Sequence, residues 1–216
     1  MEIKIMKNIM HANKKTAAEN RAFFTQQNIT AINIMASPGA GKTSVILKMI
    51  ETLGQNFKIY VIEGDIASSI DAEVIEKTGT SVVQINTGGG CHLDASMISE
   101  VVKEMNPEPN SLLLIENVGN LVCPSTFDLG ETMRLVIASV PEGHDKPFKY
   151  ISMFESADVV VLNKVDLVEY VGFDKSLFYK GIKAVNQKAA TFEVSCRSGE
   201  GVSEFILYIR KKLMQN

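Results

Sequence analysis

A chain of 216 residues is long enough for one large α/β domain with a substantial core and short for two independent ones. Its 45% hydrophobic and 22% charged residues are those of a soluble globular protein, and a formal charge of -3 gives no electrostatic reason to bind nucleic acid or anionic lipid. Three cysteines, at 91, 123 and 196, are too few and too widely spaced for a disulfide framework, which argues for a reducing compartment; no run approaches the roughly 20 apolar residues of a membrane span.

The opening "MEIKIMKNIMHANKKTAAENRAFF" lacks the apolar region and cleavage site of a signal peptide, and its glutamates fit a transit peptide poorly, so a cytoplasmic protein is expected. Residues 3 to 27 read as a helix with Ile5, Ile9, Phe23 and Phe24 on its apolar side, packed on the domain or on a partner. Residues 1–28 are accordingly set apart from a main domain over 29–216. From there on, apolar runs of strand length recur at 29–35, 58–64, 81–87, 111–117, 134–140, 158–164 and 190–196, with helical stretches between them. That alternation predicts a mainly parallel sheet with helices on both faces. "NPEPN" (106–110) reads as a turn.

Directly after the first run comes "ASPGAGKTS", the phosphate-loop pattern in its proper place between strand and helix. Gly39, Ala40 and Gly41 let backbone N–H groups face the phosphates, Lys42 supplies a charge, the Thr43 hydroxyl can ligate magnesium, and Ser44 completes the nucleotide-contacting segment. A tight turn of small residues is the bland alternative, and the coincidence of strand, Lys-Thr pair and helix argues against it. Ala36 replaces the first glycine of the pattern, which is tolerable if its φ stays negative.

"NKVD" at 163–166 ends a later apolar run and selects guanine over adenine. The Asp166 carboxylate can accept both N–H groups of the guanine edge, whereas adenine would leave it facing an acceptor. Asn163 and Lys164 belong to the same motif, and Ser195 with Cys196 in "SCRSG" supplies the last base-reading loop. A small-molecule kinase would share the phosphate loop but has no use for "NKVD".

Two strand ends read as switches, Asp65 in "EGD" and Glu116 with Gly119 in "ENVG". Lys42, Asp65, Glu116 and Gly119 are the candidate catalytic group, with Thr43, Asp65 and Glu116 holding magnesium directly or through water. Asn120 stands where many GTPases place a water-orienting Gln, so hydrolysis is expected to be slow.

Cys91, His92 and Cys123 remain. Thiolates and an imidazole suit nickel or zinc, yet three ligands cannot complete a four-coordinate site, and two inert cysteines beside a helix-capping histidine would look the same by spacing. The segments "NTGGGCHLDASM", "IENVGNLVCPSTFDLGE" and "SVPEGHDKPFKY" closely resemble the HypB family of GTPases, which help deliver nickel to hydrogenase; the similarity runs from "ENRAFF" through the last GTPase loop. The resemblance implies a P-loop NTPase fold of the SIMIBI class, with Cys91, His92 and Cys123 as a nickel or zinc site. It also implies GTP/GDP and Mg2+ as ligands, and a homodimer promoted by GTP or metal. Its implied partners are a small nickel carrier of the HypA type and, indirectly, the hydrogenase large subunit. The opening segment carries no Cys-x-x-Cys-Gly-Cys motif, so extra nickel storage there is not expected; urease-directed relatives carry Cys-Pro-His, which this chain lacks.

Overall fold

Runs such as "INIMA" and "VVVL" are apolar at successive positions and can be buried only between two covering layers. The computed structural model, which describes residues 2–66 and 68–215 and side chains from residue 10 onward, has that arrangement. The described residues form strands β1 (Thr30–Ala36), β2 (Ile59–Asp65), β3 (Ser81–Asn86), β4 (Leu112–Glu116), β5 (Met133–Ser139), β6 (Val159–Asn163) and β7 (Ala190–Glu193). They make one sheet in the order β3-β2-β4-β1-β5-β6-β7, parallel throughout. In its centre Ile32 pairs with Leu114 on one side and Met133 on the other.

The helices are α1 (Glu2–Gln26), α2 (Lys42–Leu53), α3 (Ile70–Glu76), α4 (Ala95–Met105), α5 (Lys146–Lys149), α6 (Ile151–Glu155), α7 (Val168–Val171), α8 (Lys175–Val185) and α9 (Val202–Leu213). On one face of the sheet α2 and α9 bury Val45, Ile46, Met49, Phe205 and Ile209 against Ile32, Ile34 and Leu114. On the other, α6 and α8 cover Val136 and Val160, while α1 and α4 set Phe24 and Ile98 over Ile62 and Leu113. No helix among the described residues is long and apolar enough to cross a membrane.

Strand positions agree with the sequence periods to within a residue, except that β7 ends at Glu193 rather than 196. Ser195 there leaves the ladder and closes a turn, accepting from Gly199 N at 2.8 Å while its own N–H donates to Glu200 O.

α1 is fastened by more than its apolar side. Asn20, buried, donates to both Ala95 O (2.8 Å) and Leu129 O (2.9 Å), and Asn13 accepts from Ala95 N and donates to Asp128 O. Phe24 is completely buried, and its truncation to Ala would cost about 3–5 kcal/mol. The contributions expected of Ile5 and Ile9 lie outside the described side chains.

Candidate functional site

Every functional segment leaves the sheet at the carboxyl ends of its strands, where parallel α/β folds place their ligands. β1 delivers the phosphate loop. Ala36, its last residue, is extended and keeps its methyl without strain, while Gly39 (φ 75) and Gly41 (φ 97) take the left-handed turns. A Cβ at Gly41 would also collide with the Asn163 amide. Lys42 Nζ lies 3.7 Å from Glu116 Oε1, and the Thr43 hydroxyl donates to the same oxygen at 3.1 Å.

The segment Asn163–Asp166 is hydrogen-bonded onto this loop. Asn163 Nδ2 donates to Ala40 O at 2.9 Å, and Lys164, itself left-handed (φ 61), donates through Nζ to Gly39 O at 2.6 Å. A cavity of ≈280 Å³ beside them is lined by Ser44, Lys164, Asp166, Ser195, Cys196 and Arg197. The structure thus brings the sequence-derived base residues together and adds Arg197. Burial pushes the Cys196 thiol upward, which makes it a poor nucleophile.

Next to Lys42 stands a group of acids that the sequence disclosed only in part. Carboxylate oxygens of Glu63, Asp71 and Glu116 lie within 4.8 Å of one another. Glu63 is 1% exposed, and its Oε2 has no hydrogen-bond partner among the described residues. Burial, reinforced by Glu116, Asp65 and Asp71, raises its pKa to about 8; burial also raises Glu116 to about 7, against the pull of Lys42. The Asp65 carboxylate at the end of β2 accepts from Ser68 N at 2.8 Å and lies outside the trio, close enough to raise the Glu63 pKa. An acid in the first turn of α3 is what the helix dipole favours anyway, so nothing in the sequence marked Asp71.

Cys91, His92 and Cys123 do meet, their ligand atoms within 4.8 Å of one another. Neighbouring residues can converge here because the Gly-rich turn after β3 has neither helical nor strand geometry; Cys91 Sγ lies 3.5 Å from His92 Nδ1. A hydrogen bond with Cys123, then burial, pushes the Cys91 thiol up, and burial pushes the His92 imidazole down toward its neutral form. The His92 ring stacks on Phe127 with centroids 3.8 Å apart, a support the sequence reading missed. His92 does not cap α4: that role falls to Asp94, which accepts from Ser96 N and Met97 N.

The chain between Glu116 and Cys123 joins the two centres. Gly119 packs on Pro38 of the phosphate loop, and Asn120 N donates to Ala36 O at 2.9 Å. The Asn120 side chain donates to Cys91 O (3.3 Å) and accepts from Val122 N (2.8 Å), so it is turned to the Cys91 loop. Asn117, fully buried, accepts from Leu93 N and donates to Asn33 Oδ1, both at 3.1 Å.

Residues 30–193 match the family model of the CobW/HypB/UreG nucleotide-binding domain. The hydrogenase maturation factor HypB of Rhizobium leguminosarum bv. viciae is 47% identical over 207 residues, which cover 96% of this chain and 69% of that protein. Among solved structures, HypB of Archaeoglobus fulgidus superposes with a TM-score of 0.88 at 41% identity, covering 94% of this chain and 99% of that one. HypB of Helicobacter pylori, crystallised in complex with nickel, gives a TM-score of 0.89 at 37% identity, with 95% and 96% covered.

Proposed function

Because this chain belongs to the CobW/HypB/UreG family and, within it, to the HypB hydrogenase maturation factors, we propose that it is a GTP-hydrolysing metallochaperone that binds nickel, or zinc, and assists nickel delivery into nickel–iron hydrogenase. One observation carries the reading. A seven-residue stretch, 117–123, touches the phosphate loop at Gly119 and ends at Cys123, whose thiol meets Cys91 and His92. Nucleotide state and cargo binding therefore share a segment of backbone.

Each part of the edge has a role in this reading. Loop N–H groups and Lys42 hold the phosphates, and Asp166 reads guanine. Glu63, Asp71, Glu116 and the Thr43 hydroxyl form a hard oxygen set that fits Mg2+, and the orphaned Glu63 oxygen is the group such an ion would satisfy. When bound, magnesium supplies charge neutralisation at the phosphates. Hydrolysis is slow because the Asn120 amide is engaged by Cys91 and Val122 and does not orient water.

Cys91, His92 and Cys123 hold the cargo, and the remaining coordination comes from water, the carrier protein or a second copy. Ile66, Ile70 and Val122, exposed at the same edge, are surface that a GTP-promoted homodimer would cover. A small carrier of the HypA type and, indirectly, the hydrogenase large subunit are the partners of this reading.

The test has two arms: competition of GTP and ATP for a fluorescent guanine nucleotide, and nickel titration followed by thiolate-to-nickel absorption. Guanine preference and a band lost in Cys91→Ala support the reading; binding of ATP as tight as GTP, or no band in the wild type, overturns it.

A further inference from the structure

We infer that Asn120 is a positioning residue that carries the state of the phosphate loop to the far side of the metal site, moving Cys91 in step with Cys123. The inference rests on the metallochaperone reading and adds the residue that joins the two cysteines. Cys123 needs no special link to the nucleotide, since it follows Gly119 by four residues in the same segment. Cys91 does. It belongs to another loop, 29 residues earlier than Asn120, and besides its thiol contact with Cys123 it needs a main-chain tie if it is to follow a shift of 119–123.

Three contacts of Asn120 point in three directions. Its N–H is held by Ala36 O at the root of the phosphate loop, its Oδ1 by Val122 N beside Cys123, and its Nδ2 reaches the Cys91 carbonyl. The Val122 bond, at 2.8 Å, is an Asx turn that any chain reversal could use. The bond to Cys91 O is not required by that turn. At 3.3 Å it is at the long end of the N–H···O range, so a small displacement of Asn120 tightens or breaks it before the shorter bonds respond.

Apart from the side-chain contacts of Cys91 with Cys123 and of His92 with Phe127, the Cys91 loop is tied to rigid parts. Thr87 Oγ1 donates to Gly90 O at 2.7 Å and pins the loop to the end of β3. Asn117 holds Leu93 N but is itself buried and bonded to Asn33 on β1, so it anchors the loop and does not move it. The Cys91 thiol meets Cys123 side chain to side chain, whereas Asn120, half-buried and adjacent to Gly119, bonds the Cys91 main chain from the segment that leads to Cys123.

The experiment uses Asn120→Ser, whose hydroxyl can still accept from Val122 N but is too short for Cys91 O, with Asn120→Ala as the variant that loses both. Alkylation rates of Cys91 and Cys123 are measured by peptide mass spectrometry on metal-free full-length protein with Mg–GDP and with a Mg–GTP analogue. In the wild type the two nucleotides should change both rates by about fivefold or more, the lower end of usual coupling. In Asn120→Ser the Cys123 response should persist and the Cys91 response should vanish, and in Asn120→Ala the Cys91 response should again be absent. Persistence of the Cys91 response in Asn120→Ser, or its absence from the wild type, overturns the inference. Neither nickel nor zinc enters this readout, so its failure is distinguishable from failure of the cargo reading, which would appear separately as wild-type protein without a nickel–thiolate band.

Discussion

Gly119 rests against Pro38 so closely that a Cβ on residue 119 would lie 3.1 Å from the proline nitrogen and 3.2 Å from its Cα. The contact joins the segment that leads to Cys123 to the loop that holds phosphate. Any larger residue must push one of them aside.

Gly119→Ala should therefore weaken binding of a GTP analogue by about 1–3 kcal/mol, the usual cost of overpacking, with a smaller effect on GDP. Isothermal titration with both nucleotides measures it. Equal losses for GDP and for the analogue would show that the residue does not sense the γ-phosphate.

Asp166→Asn should exchange guanine for xanthine. An amide can donate to the 2-oxo group while its oxygen still accepts the ring N–H, whereas guanine then meets a donor where it needs an acceptor. Asp166 lines the cavity beside Lys164 and Ser195. Competition between GTP and xanthosine triphosphate decides it, and an unchanged GTP preference would remove Asp166 from base recognition.

On the proposed function, in which Lys42, its ammonium 3.7 Å from Glu116, holds the phosphates that organise both switches, Lys42→Ala should abolish nucleotide-dependent dimerisation. Light scattering with GDP and with a GTP analogue tests this. A dimer fraction that still rises with the analogue in the variant would contradict it.

Glu63 and Glu116 make stability fall as pH rises. Both have folded-state pKa values above the ordinary 4.5, about 8 and about 7, so the folded form holds more protons than the unfolded chain between those limits. Their contribution is fully present below pH 4.5 and is lost as pH climbs through 7 and 8. Glu63→Gln should raise stability at pH 8.5 by on the order of 1–3 kcal/mol and flatten the slope, and Mg2+ should do the same for the wild type. Denaturant melts across pH 5 to 9 check it; a variant with the wild-type slope would show that Glu63 does not titrate in this window.

The sheet and the phosphate loop were legible because each has a local signature, a strand period and a glycine spacing. Cys91, His92 and Cys123 were legible as residue types, and their convergence became visible only in three dimensions, since a Gly-rich turn has no period to read. Asp71 was hidden by its place in a helix's first turn, where acids are ordinary, whereas Asp65 stood out at a strand end. Phe127, Asn117 and the side-chain role of Asn120 depend on contacts between loops 24 to 35 residues apart, which no spacing rule encodes.

The central claim is that phosphate and metal are coupled through the stretch from Gly119 to Cys123, and nickel titration in the two nucleotide states tests it most directly. Wild-type protein and Cys123→Ala are each titrated with nickel and zinc in the presence of GDP and of a GTP analogue. The wild type should show metal affinities that differ between the nucleotides by a factor of about 5 to 150, and by linkage metal should change GTP affinity by the same factor. Cys123→Ala should lose that difference while binding GTP normally without metal. Equal wild-type affinities in the two nucleotide states would contradict the account and leave Cys123 as a ligand with no connection to the nucleotide.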